Sequence, residues 1–588
     1  MTSSIGSRNF LRSLQLLFYL KKIGANNFIL CPGSRSAPLA LAAGELYKNE
    51  EIELFNSIDE RSAGFHALGI SAASGNISVV ITTSGTAVAN LLPAAVEADK
   101  SSIPVLFITA DRPLRLKNCG ANQTVQQEDF LEVVCKEVFR TNPLGFHLMN
   151  DSDLDKLINS LSKEFSSFSK PCHLNIPFEK PLDISTGNKK KIYDLFSNKD
   201  HISNKELFRE SISIDRESIF HKRFSKFNLL KSGIIIVGPY FGSPKDLLKY
   251  NNALKRIQEI TGWPIFADPV SGVDYDLPGL VENWEIIIST QIFSLQCDHL
   301  LRIGPMSTSN YLEKFLTNFK GDQFLVKEND SRNLDPLNKS IQYEYGVEKF
   351  LEDLLLTRNY QSLPIKNLTA LANNLIREGE RISAVLKEFF SINNKVTECY
   401  LANFIPEAWP KEYPIMISAS SPIRDWLTFS SNKTLSRRCF SFRGASGIDG
   451  TLSLALGIAR INSPLLLVTG DLAYVHDING WLIENSSNLK LTILLIDNMG
   501  GNIFNELYKR NLSQQELEKL FTMPKILNWK KLTDAYKIPY RVASNFKKLK
   551  DDLEWSLSKQ GSVIIRVTID LDYELNLRNS ILNRINKN

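Results

Sequence analysis

Short apolar runs recur along this chain, and each is followed by a cluster of Gly, Ser or Asp and then by helix-like sequence. Short β-rich runs that alternate with helices predict parallel sheets covered by helices on both faces. The pattern is clearest in the first and last thirds, which are therefore expected to be the same kind of domain. The predicted strands are 27–31, 53–58, 78–83, 104–109, 173–176, 233–237, 263–267, 299–303, 323–326, 414–418, 439–442, 464–469, 491–496 and 562–568.

The chain has 588 residues, which is too long for a single ordinary core. We expect an α/β protein of three domains, each a mostly parallel sheet flanked by helices. The predicted boundaries are 1–183 for the first domain, 184–228 for a polar linker, 229–365 for the central domain and 366–588 for the last. The polar residues 576–588 are expected to fray.

Composition excludes several classes of protein. A net charge of +5 does not favour a nucleic-acid binder, which needs concentrated basic charge. The seven cysteines are scattered without a CxxC pair, so we expect no disulfide framework and a cytoplasmic location. No apolar run approaches the roughly 18–20 residues that a membrane helix needs, so no membrane span is expected.

The most informative stretch for chemistry lies between residues 464 and 504. A buried strand ends at Gly470-Asp471, a helix is predicted over 474–484, and the next strand ends at Asp497-Asn498. Such a crossover places the ends of two parallel strands side by side, where ligands of open α/β folds bind. Asp471 and Asn498 offer the hard oxygen ligands that Mg²⁺ prefers, and the helix after Asp471 would help to hold a diphosphate.

Each half of this motif also has an ordinary structural explanation. Gly470-Asp471 alone is more often a turn and helix cap, and the residues after 496 alone are more often a surface loop. Their combination on one strand–helix–strand frame favours a metal–diphosphate site.

The motif resembles the thiamine-diphosphate-binding signature, in which Gly-Asp is followed by an Asn, here 27 positions after the Asp. The resemblance implies thiamine diphosphate as cofactor, with Mg²⁺ or Mn²⁺ held by Asp471, Asn498 and a main-chain oxygen at Gly500. It also implies that Gly470 lies against the diphosphate. The first domain would bind the pyrimidine and the last would bind the diphosphate and metal.

Enzymes with this signature also place a carboxylate against N1′ of the aminopyrimidine, after an early strand of the first domain. That contact favours the imino tautomer, whose nitrogen takes the C2 proton. Glu60 occupies this place here, with Asp59 as the start of the helix. The alternative is that both acids merely favour a helix N-terminus.

Three further strings carry a closer resemblance. They are Cys31-Pro32-Gly33-Ser34-Arg35-Ser36; Ala110-Asp111-Arg112-Pro113 with Cys119-Gly120-Ala121-Asn122-Gln123; and Arg443-Gly444-Ala445-Ser446-Gly447-Ile448-Asp449-Gly450. Together they resemble the 2-succinyl-5-enolpyruvyl-6-hydroxy-3-cyclohexene-1-carboxylate synthases of menaquinone and phylloquinone biosynthesis. That family decarboxylates 2-oxoglutarate and adds the succinyl unit to isochorismate, releasing CO₂.

The resemblance assigns roles to individual residues, and guanidinium groups suit the carboxylates of both substrates. Ser34, Arg35, Arg112 and Gln123 would line the isochorismate side. Ser420, Arg424 and Arg443 would face the part derived from 2-oxoglutarate.

Cofactor contacts are implied for Ser446 and for Ile448, which would hold the cofactor bent. Ile503, Phe504 and Leu507 would wall the site. Ile503 and Phe504 would contact both cofactor and substrate, and Leu507 would contact the substrate. A solvated loop arginine, a core isoleucine and ordinary helix packing remain the alternatives.

Some positions depart from the family pattern. Ser418-Ala419 replaces a usual Gly-Asn, Phe442 a common Asn, and Asp497 another Asn. Asn310-Tyr311 stands where some relatives carry a basic pair, so we assign the central domain no role in substrate binding.

Two other functions remain open at the level of sequence. One is a different thiamine-diphosphate-dependent 2-oxoacid decarboxylase or carboligase, against which the four arginines argue. The other is a non-catalytic cofactor-binding protein, against which Glu60, Asp471 and Asn498 argue. By resemblance the active unit is a homodimer or homotetramer with sites at the subunit interface.

Overall fold

The structure is a computed structural model that describes residues 4–165, 170–197, 220, 222–291, 296–328, 330–358, 365–392, 394–508 and 511–587. These residues form two compact units. The first unit contains residues 4–197 together with 444–461 and 476–489, and the second contains the remaining described residues from 220 onward. The chain therefore returns to the first unit twice late in its sequence.

The described residues contain three sheets in which every strand pair is parallel, as the sequence predicts. The first sheet has the order β2-β1-β3-β4-β6-β5, the second β11-β10-β9-β7-β8, and the third β13-β12-β14-β15-β17-β16. The strands are β1 Asn27–Leu30, β2 Glu53–Asn56, β3 Ser78–Thr82, β4 Val105–Asp111, β5 Glu137–Arg140, β6 Cys172–Pro177, β7 Gly233–Val237, β8 Ile265–Ala267, β9 His299–Ile303, β10 Asp322–Val326, β11 Ser340–Tyr343, β12 Ile415–Ile417, β13 Cys439–Phe440, β14 Leu465–Gly470, β15 Leu491–Asp497, β16 Tyr540–Val542 and β17 Val563–Thr568.

The first and third sheets have the same topology, with six strands in the same relative order. This confirms the expectation that the two ends of the chain are the same kind of domain. In both sheets the third and fourth strands are central and buried, so their carboxyl ends lie side by side. The sequence places its strongest site candidates at these ends.

The helices that connect and cover the strands follow the predicted alternation. Their bounds are Ile5–Lys22, Ala37–Lys48, Glu60–Ser74, Thr86–Ala89, Leu92–Ser101, Asp151–Phe165, Thr186–Ser197, Leu247–Thr261, Trp284–Gln291, Asn310–Asn318, Val347–Arg358, Ala370–Ile392, Glu398–Ala408, Ser421–Phe429, Thr451–Ile461, Asp471–His476, Ile503–Tyr508, Gln514–Leu517, Trp529–Ala535, Phe546–Ser558 and Leu571–Lys587.

Two small-residue helices pack closely in the first unit. Glu60–Ser74 lies against Thr451–Ile461, with Gly69 and Gly457 at the contact. A Cβ at Gly69 would lie 2.2 Å from the Leu454 carbonyl oxygen, and one at Gly457 would lie 2.2 Å from that of His66. Only residues without a side chain allow this approach, which fixes the helix that begins at Glu60.

Residues at the end of the predicted linker take part in a core. Phe220, Phe224 and Phe227 are buried among the apolar side chains of the second sheet. Residues 198–219 and 221 of that linker lie outside the described residues. The domain boundaries themselves stay a prediction.

Two local predictions were wrong. The segment 474–484 is not one helix, because Asp471–His476 is α-helical and Ile478–Leu482 is a separate 3₁₀ helix. Between them, the buried carboxylate of Asp477 accepts a hydrogen bond from the Ser453 N–H at 2.6 Å, which fixes the break. The C-terminal residues 576–587, which were expected to fray, are ordered in a helix. They belong to the helix Leu571–Lys587, whose Leu577, Ile581 and Ile585 share one face and are buried in the core.

No described helix is both long enough and apolar enough to cross a membrane.

Candidate active site

Asp471 and Asn498 lie at the ends of the adjacent strands β14 and β15, as the crossover predicts. The Asp471 carboxylate is buried, and its Oδ2 accepts a hydrogen bond from the Gly500 N–H at 2.8 Å. Its Oδ1 accepts from the Leu472 N–H at 2.8 Å. Burial raises the pKa of Asp471 to about 6. Asp471 therefore connects one strand end directly to the loop that follows the other.

The side-chain oxygen of Asn498 is the decisive atom of this cluster. Asn498 is buried, and its Oδ1 receives no hydrogen bond from the described residues. Burying an amide oxygen without a partner costs free energy, unless a bound ion or ligand interacts with that oxygen. An amide oxygen and a carboxylate at neighbouring strand ends suit a hard divalent cation, so these residues fit the metal that the sequence predicts.

The loop after Asn498 has a backbone that favours glycine. Met499 and Gly500 both have positive φ, at 60° and 114°. A Cβ at Gly500 would lie 2.0 Å from the Thr522 carbonyl oxygen, and the Gly501 N–H donates to that same oxygen at 2.8 Å. Thr522 therefore fixes the backbone at Gly500 and Gly501.

Asp497 serves as a structural anchor for the end of β15. Its Oδ2 accepts from Arg566 Nε at 2.8 Å and from Trp529 Nε1 at 2.9 Å. Arg566 lies on the neighbouring strand β17. This ion pair gives the buried carboxylate at position 497 a partner within its own sheet.

Glu398, which the sequence did not single out, holds the other half of the Asn498 amide. Its Oε1 accepts from Asn498 Nδ2 at 2.6 Å, and its Oε2 accepts from Asn502 Nδ2 at 3.2 Å. Burial and the neighbouring Asp425 carboxylate raise the pKa of Glu398, and the nearby Arg578 opposes that rise.

The apolar candidates Ile503, Phe504 and Leu507 lie on the short helix Ile503–Tyr508. Ile503 and Phe504 are half-buried, whereas Leu507 is exposed. The Phe504 ring packs on Phe521 with centroids 5.4 Å apart. Both interpretations offered by the sequence, a wall of the site and ordinary helix packing, are compatible with this arrangement. Gly470 has no atom within 4 Å of where a Cβ would lie, so the strand end beside Asp471 is open.

In the first unit, Glu60 is the first residue of the helix Glu60–Ser74. Asp59 caps this helix, accepting from the N–H groups of Arg61 at 2.9 Å and Ser62 at 3.2 Å. This confirms Asp59 as the helix start and leaves the half-buried Glu60 carboxylate outside the capping role. Burial and the negative charge of Glu60 raise the pKa of the Cys31 thiol.

Two of the four residues predicted for isochorismate, Arg112 and Gln123, are linked by hydrogen bonds in the first unit, and a third, Arg35, is influenced by the charge of Arg112. Arg112 donates to Ser84 Oγ and, at 2.7 Å, to the Gln123 carbonyl oxygen. Gln123 Nε2 donates to the Ser84 carbonyl oxygen at 2.8 Å. Arg35 is buried and donates to the Phe178 carbonyl oxygen at 2.7 Å; burial and the charge of Arg112 lower its pKa. Ser34, next to Arg35, is exposed.

Loop 444–450 is fixed to the first unit by a buried carboxylate that the sequence did not single out. Glu97 accepts from the backbone N–H groups of Gly444, Ala445 and Ser446 at 2.9, 2.8 and 3.1 Å. Ser446 is exposed with φ of 61°, and Ile448 is half-buried. Glu97 therefore sets the backbone of the segment that carries both cofactor candidates.

The remaining candidates, Ser420, Arg424 and Arg443, lie in the second unit. Arg424 is exposed and donates to the Ser420 carbonyl oxygen at 2.8 Å, and Ser420 has φ of 73° at the start of the helix Ser421–Phe429. Arg443 donates to Thr308 Oγ1, in the central-domain loop for which the sequence suggested no role. Burial raises the pKa of Asp268, and the charge of Arg443 opposes that rise.

Comparison with known proteins decides between the functions that the sequence left open. Residues 14–133 match the family described as thiamine pyrophosphate enzyme, N-terminal TPP binding domain. A protein of Prochlorococcus marinus (strain MIT 9515), named 2-succinyl-5-enolpyruvyl-6-hydroxy-3-cyclohexene-1-carboxylate synthase, is 59% identical over 589 residues, covering 100% of both chains. Proteins of the same name from strains MIT 9301 and NATL2A are 58% and 43% identical, covering 100% and 96% of this chain and 100% and 95% of the relatives.

The chain belongs to the 2-succinyl-5-enolpyruvyl-6-hydroxy-3-cyclohexene-1-carboxylate synthase family.

Membership of this synthase family confirms the resemblance on which the sequence-based predictions depend. It makes the chain a thiamine-diphosphate-dependent enzyme and excludes the non-catalytic alternative. The site residues themselves stay predictions. The structure brings Asp471 and Asn498 together in one unit and Arg35, Arg112 and Gln123 together in the other.

The two side chains that the sequence missed, Glu97 and Glu398, share one property. Each accepts hydrogen bonds from residues at least a hundred positions away. The local sequence therefore holds no signal for them. Only the burial of a carboxylate, visible in three dimensions, points to such a role.

Proposed function

We propose that this chain decarboxylates 2-oxoglutarate and adds the resulting succinyl unit to isochorismate, giving 2-succinyl-5-enolpyruvyl-6-hydroxy-3-cyclohexene-1-carboxylate and CO₂. The observation that carries the proposal is the full-length identity of 59% to a synthase of that name. The unpaired Asn498 Oδ1, at the strand end next to that of Asp471, supports it, because such a pair of oxygen ligands suits the metal that accompanies a diphosphate.

Thiamine diphosphate supplies the carbanion chemistry that removes CO₂ from a 2-oxoacid and forms the new carbon–carbon bond. In the proposal, Asp471, Asn498 and the Gly500 main-chain oxygen hold Mg²⁺ or Mn²⁺, and the open strand end at Gly470 receives the diphosphate. Ser446, Ile448, Ile503 and Phe504 contact the rest of the cofactor. Loop 444–450 is suited to this task because Glu97 fixes its backbone.

Glu60 is the proposed catalytic acid–base residue, with its carboxylate placed against the aminopyrimidine. Two features of the chain suit it to that role. Asp59 caps the helix, so Glu60 is not needed as the cap. The close contact at Gly69 and Gly457 fixes the helix that carries it.

The substrates are proposed to bind by their carboxylates. Arg35, Arg112, Gln123 and Ser34 would take isochorismate, and Ser420, Arg424 and Arg443 would take 2-oxoglutarate, with Leu507 alongside. Burial and the charge of Arg112 both lower the pKa of Arg35, and a bound carboxylate would offset the charge of Arg112.

We further propose that the active unit is a homodimer or a homotetramer of cytoplasmic subunits, with Glu60 and Asp471 of one site contributed by different chains. Mixing inactive Glu60→Gln and Asp471→Ala subunits tests this directly. Restored activity in verified mixed dimers is expected, whereas its absence would contradict a shared site.

Incubation of the pure protein with thiamine diphosphate, Mg²⁺ and 2-oxoglutarate, with and without isochorismate, tests the reaction. Release of CO₂ coupled to the loss of isochorismate is the expected result. Equal turnover of pyruvate without isochorismate would instead identify another thiamine-diphosphate-dependent decarboxylase or carboligase.

A further inference from the structure

The amide of Asn498 can present either its oxygen or its nitrogen to a metal, and only the oxygen is a ligand. In the structure the nitrogen donates to Glu398 Oε1 at 2.6 Å, which leaves Oδ1 on the opposite side of the amide. Oε1 of Glu398 is the acceptor in this contact, so it selects the amide orientation that presents the Asn498 nitrogen to Glu398. Asn502 donates to the second oxygen of the same carboxylate.

Glu398 is in turn held by the C-terminal helix Leu571–Lys587. The backbone N–H groups of Glu398 and Cys399 donate to the Glu574 carboxylate at 2.7 and 3.2 Å. Arg578 bonds Glu574 and Asp425, each at 2.7 Å, and its Nη2 lies 3.7 Å from Glu398 Oε2. Glu398, Glu574 and Asp425 are all buried. The carboxylate that faces Asn498 is thus fixed by a buried charge network rather than by a flexible surface contact.

We propose that Glu398 is a positioning residue that turns the Asn498 amide oxygen toward the metal, and that the C-terminal helix holds Glu398 in place for this purpose. The inference rests on the proposed function, in which Asp471 and Asn498 bind the metal. It assigns a role to a residue about a hundred positions away from the motif that it serves, and to a helix at the end of the chain.

The substitution Glu398→Gln separates orientation from packing because the two side chains have nearly the same shape. Glutamine has one accepting oxygen and one donating NH₂ group, yet two amide nitrogens, those of Asn498 and Asn502, face this position. The Gln NH₂ group can donate to one of these asparagines only if that asparagine's amide rotates by 180° and presents its oxygen instead of its nitrogen. When Asn498 turns, its nitrogen faces the metal position and the ligand is lost.

The readout is the binding of Mn²⁺ in the presence of thiamine diphosphate, followed by the electron paramagnetic resonance signal of free Mn²⁺ in the full-length protein. Loss of an outer partner of a metal ligand commonly weakens binding about tenfold to hundredfold, and we expect this for Glu398→Gln. Glu285→Gln is the matched control, because Glu285 is another buried carboxylate of the second unit that accepts from a hydroxyl, Thr428 Oγ1 at 2.8 Å. It should leave Mn²⁺ binding unchanged.

A second substitution distinguishes positioning from a general structural effect. In Glu398→Gln/Asn498→Asp, one carboxylate oxygen of residue 498 accepts from the Gln NH₂ group while the other remains a metal ligand, so orientation no longer matters. We expect this double variant to recover most of the Mn²⁺ affinity lost in Glu398→Gln. A merely structural role for Glu398 predicts no such recovery.

The outcomes are separable. Wild-type Mn²⁺ affinity in folded Glu398→Gln would overturn the inference and leave the proposed metal site intact, as would a loss that Asn498→Asp does not reverse. Asp471→Ala should abolish the binding in every background. If it does not, the proposed metal site is wrong and the role of Glu398 falls with it.

Discussion

The first and third sheets have the same strand order, yet equivalent strands end in different side chains: β4 ends before Arg112, whereas the equivalent β15 ends before Asn498. Residues after the strands of the first sheet include Arg35, Arg112 and the acid Glu60, whereas those after β14 and β15 of the third include Asp471 and Asn498. The shared topology supplies the same open strand ends in both places. The difference teaches that one strand order can present arginines that suit carboxylates in both sheets and, in the third alone, oxygen ligands that suit a metal.

The comparison extends to the residues that fix the strand ends. Asp111 ends β4 and Asp497 ends β15, which are equivalent strands, and both carboxylates are buried. Asp111 bonds Asn175 on β6, and Asp497 bonds Arg566 at the corresponding place on β17. Asp111 obtains its cation, Lys117, from the following loop instead. The anchor has the same position in the two sheets while the source of its positive charge differs.

The largest expected effect separates the two chemistries. Glu60→Gln should lower turnover about 10²- to 10⁴-fold, the usual range for loss of a positioned acid–base group, while leaving Mn²⁺ binding unchanged because the metal site lies in the other unit. Steady-state rates and the Mn²⁺ titration check this. Asp59→Asn is the matched control, since asparagine also caps helices and turnover should be retained. Near-full turnover of Glu60→Gln would refute the assignment.

The anchors should matter about equally in the two sheets. Arg566→Met and Lys117→Met each leave a buried carboxylate without its cation, and each should lower the free energy of unfolding by about 3 kcal/mol in urea titrations. Asp497→Asn should restore most of the loss in Arg566→Met, because it removes the uncompensated charge. If neither single variant lowers the free energy of unfolding, the two ion pairs do not anchor the ends of β4 and β15.

Glu97 connects loop 444–450 to the rest of the first unit, and removing its side chain should lower the free energy of unfolding. Glu97→Ala leaves three backbone N–H groups without their acceptor, so the free energy of unfolding should fall by about 2–3 kcal/mol. Glu132→Ala, an exposed acid, provides the control and should change it little. Equal denaturation midpoints for the two variants would contradict the anchoring role.

The cationic strand ends should affect substrate and not metal. Arg112→Leu should lower kcat/KM for isochorismate about tenfold to hundredfold, which corresponds to the loss of one charge-assisted hydrogen bond. Arg115→Leu is the control, because Arg115 lies in the following 3₁₀ turn but is exposed and paired with Glu179. An equal effect of both substitutions would mean that general charge, and not Arg112 itself, recognises the substrate.

The smallest expected effect is a pH dependence of stability. Burial raises the pKa of Asp477 from its ordinary 3.8 to about 6, so the folded protein retains a proton that the unfolded chain has released. This contribution to stability is present at pH 4 and is lost as the pH rises through 6. The free energy of unfolding should therefore decline by about 2 kcal/mol between pH 4 and pH 6 through this group, and Asp477→Asn should abolish that decline. Parallel pH profiles of the wild type and the variant would contradict it.

Much of the fold could be predicted from sequence because the inner strands of parallel sheets are apolar on both faces. The predicted strands agree with β3, β9 and β14 to within about one residue. The edge strands β5, β11 and β16 were missed, since each is partly exposed and contains polar residues that break the apolar run. Edge position is a property of the sheet and not of the local sequence.

The site divides along a similar line. The positions of Asp471, Asn498 and the arginine strings at strand ends could be predicted because strand-end motifs are local in sequence. Glu97 and Glu398 could not, because the groups they hold lie at least a hundred residues away. The C-terminal helix was missed although Leu577, Ile581 and Ile585 follow a four-residue period, because the polar residues between them dominate the composition.

The most direct test of the account is a crystal structure of the protein with thiamine diphosphate and Mg²⁺. The account predicts one Glu60 carboxylate oxygen within hydrogen-bond distance of the aminopyrimidine N1′, about 2.6–3.2 Å. It also predicts Asp471 and Asn498 oxygens at about 2.1 Å from the metal at the other end of the same cofactor. A cofactor bound with Glu60 remote from N1′ in every pairing of subunits would contradict the central claim.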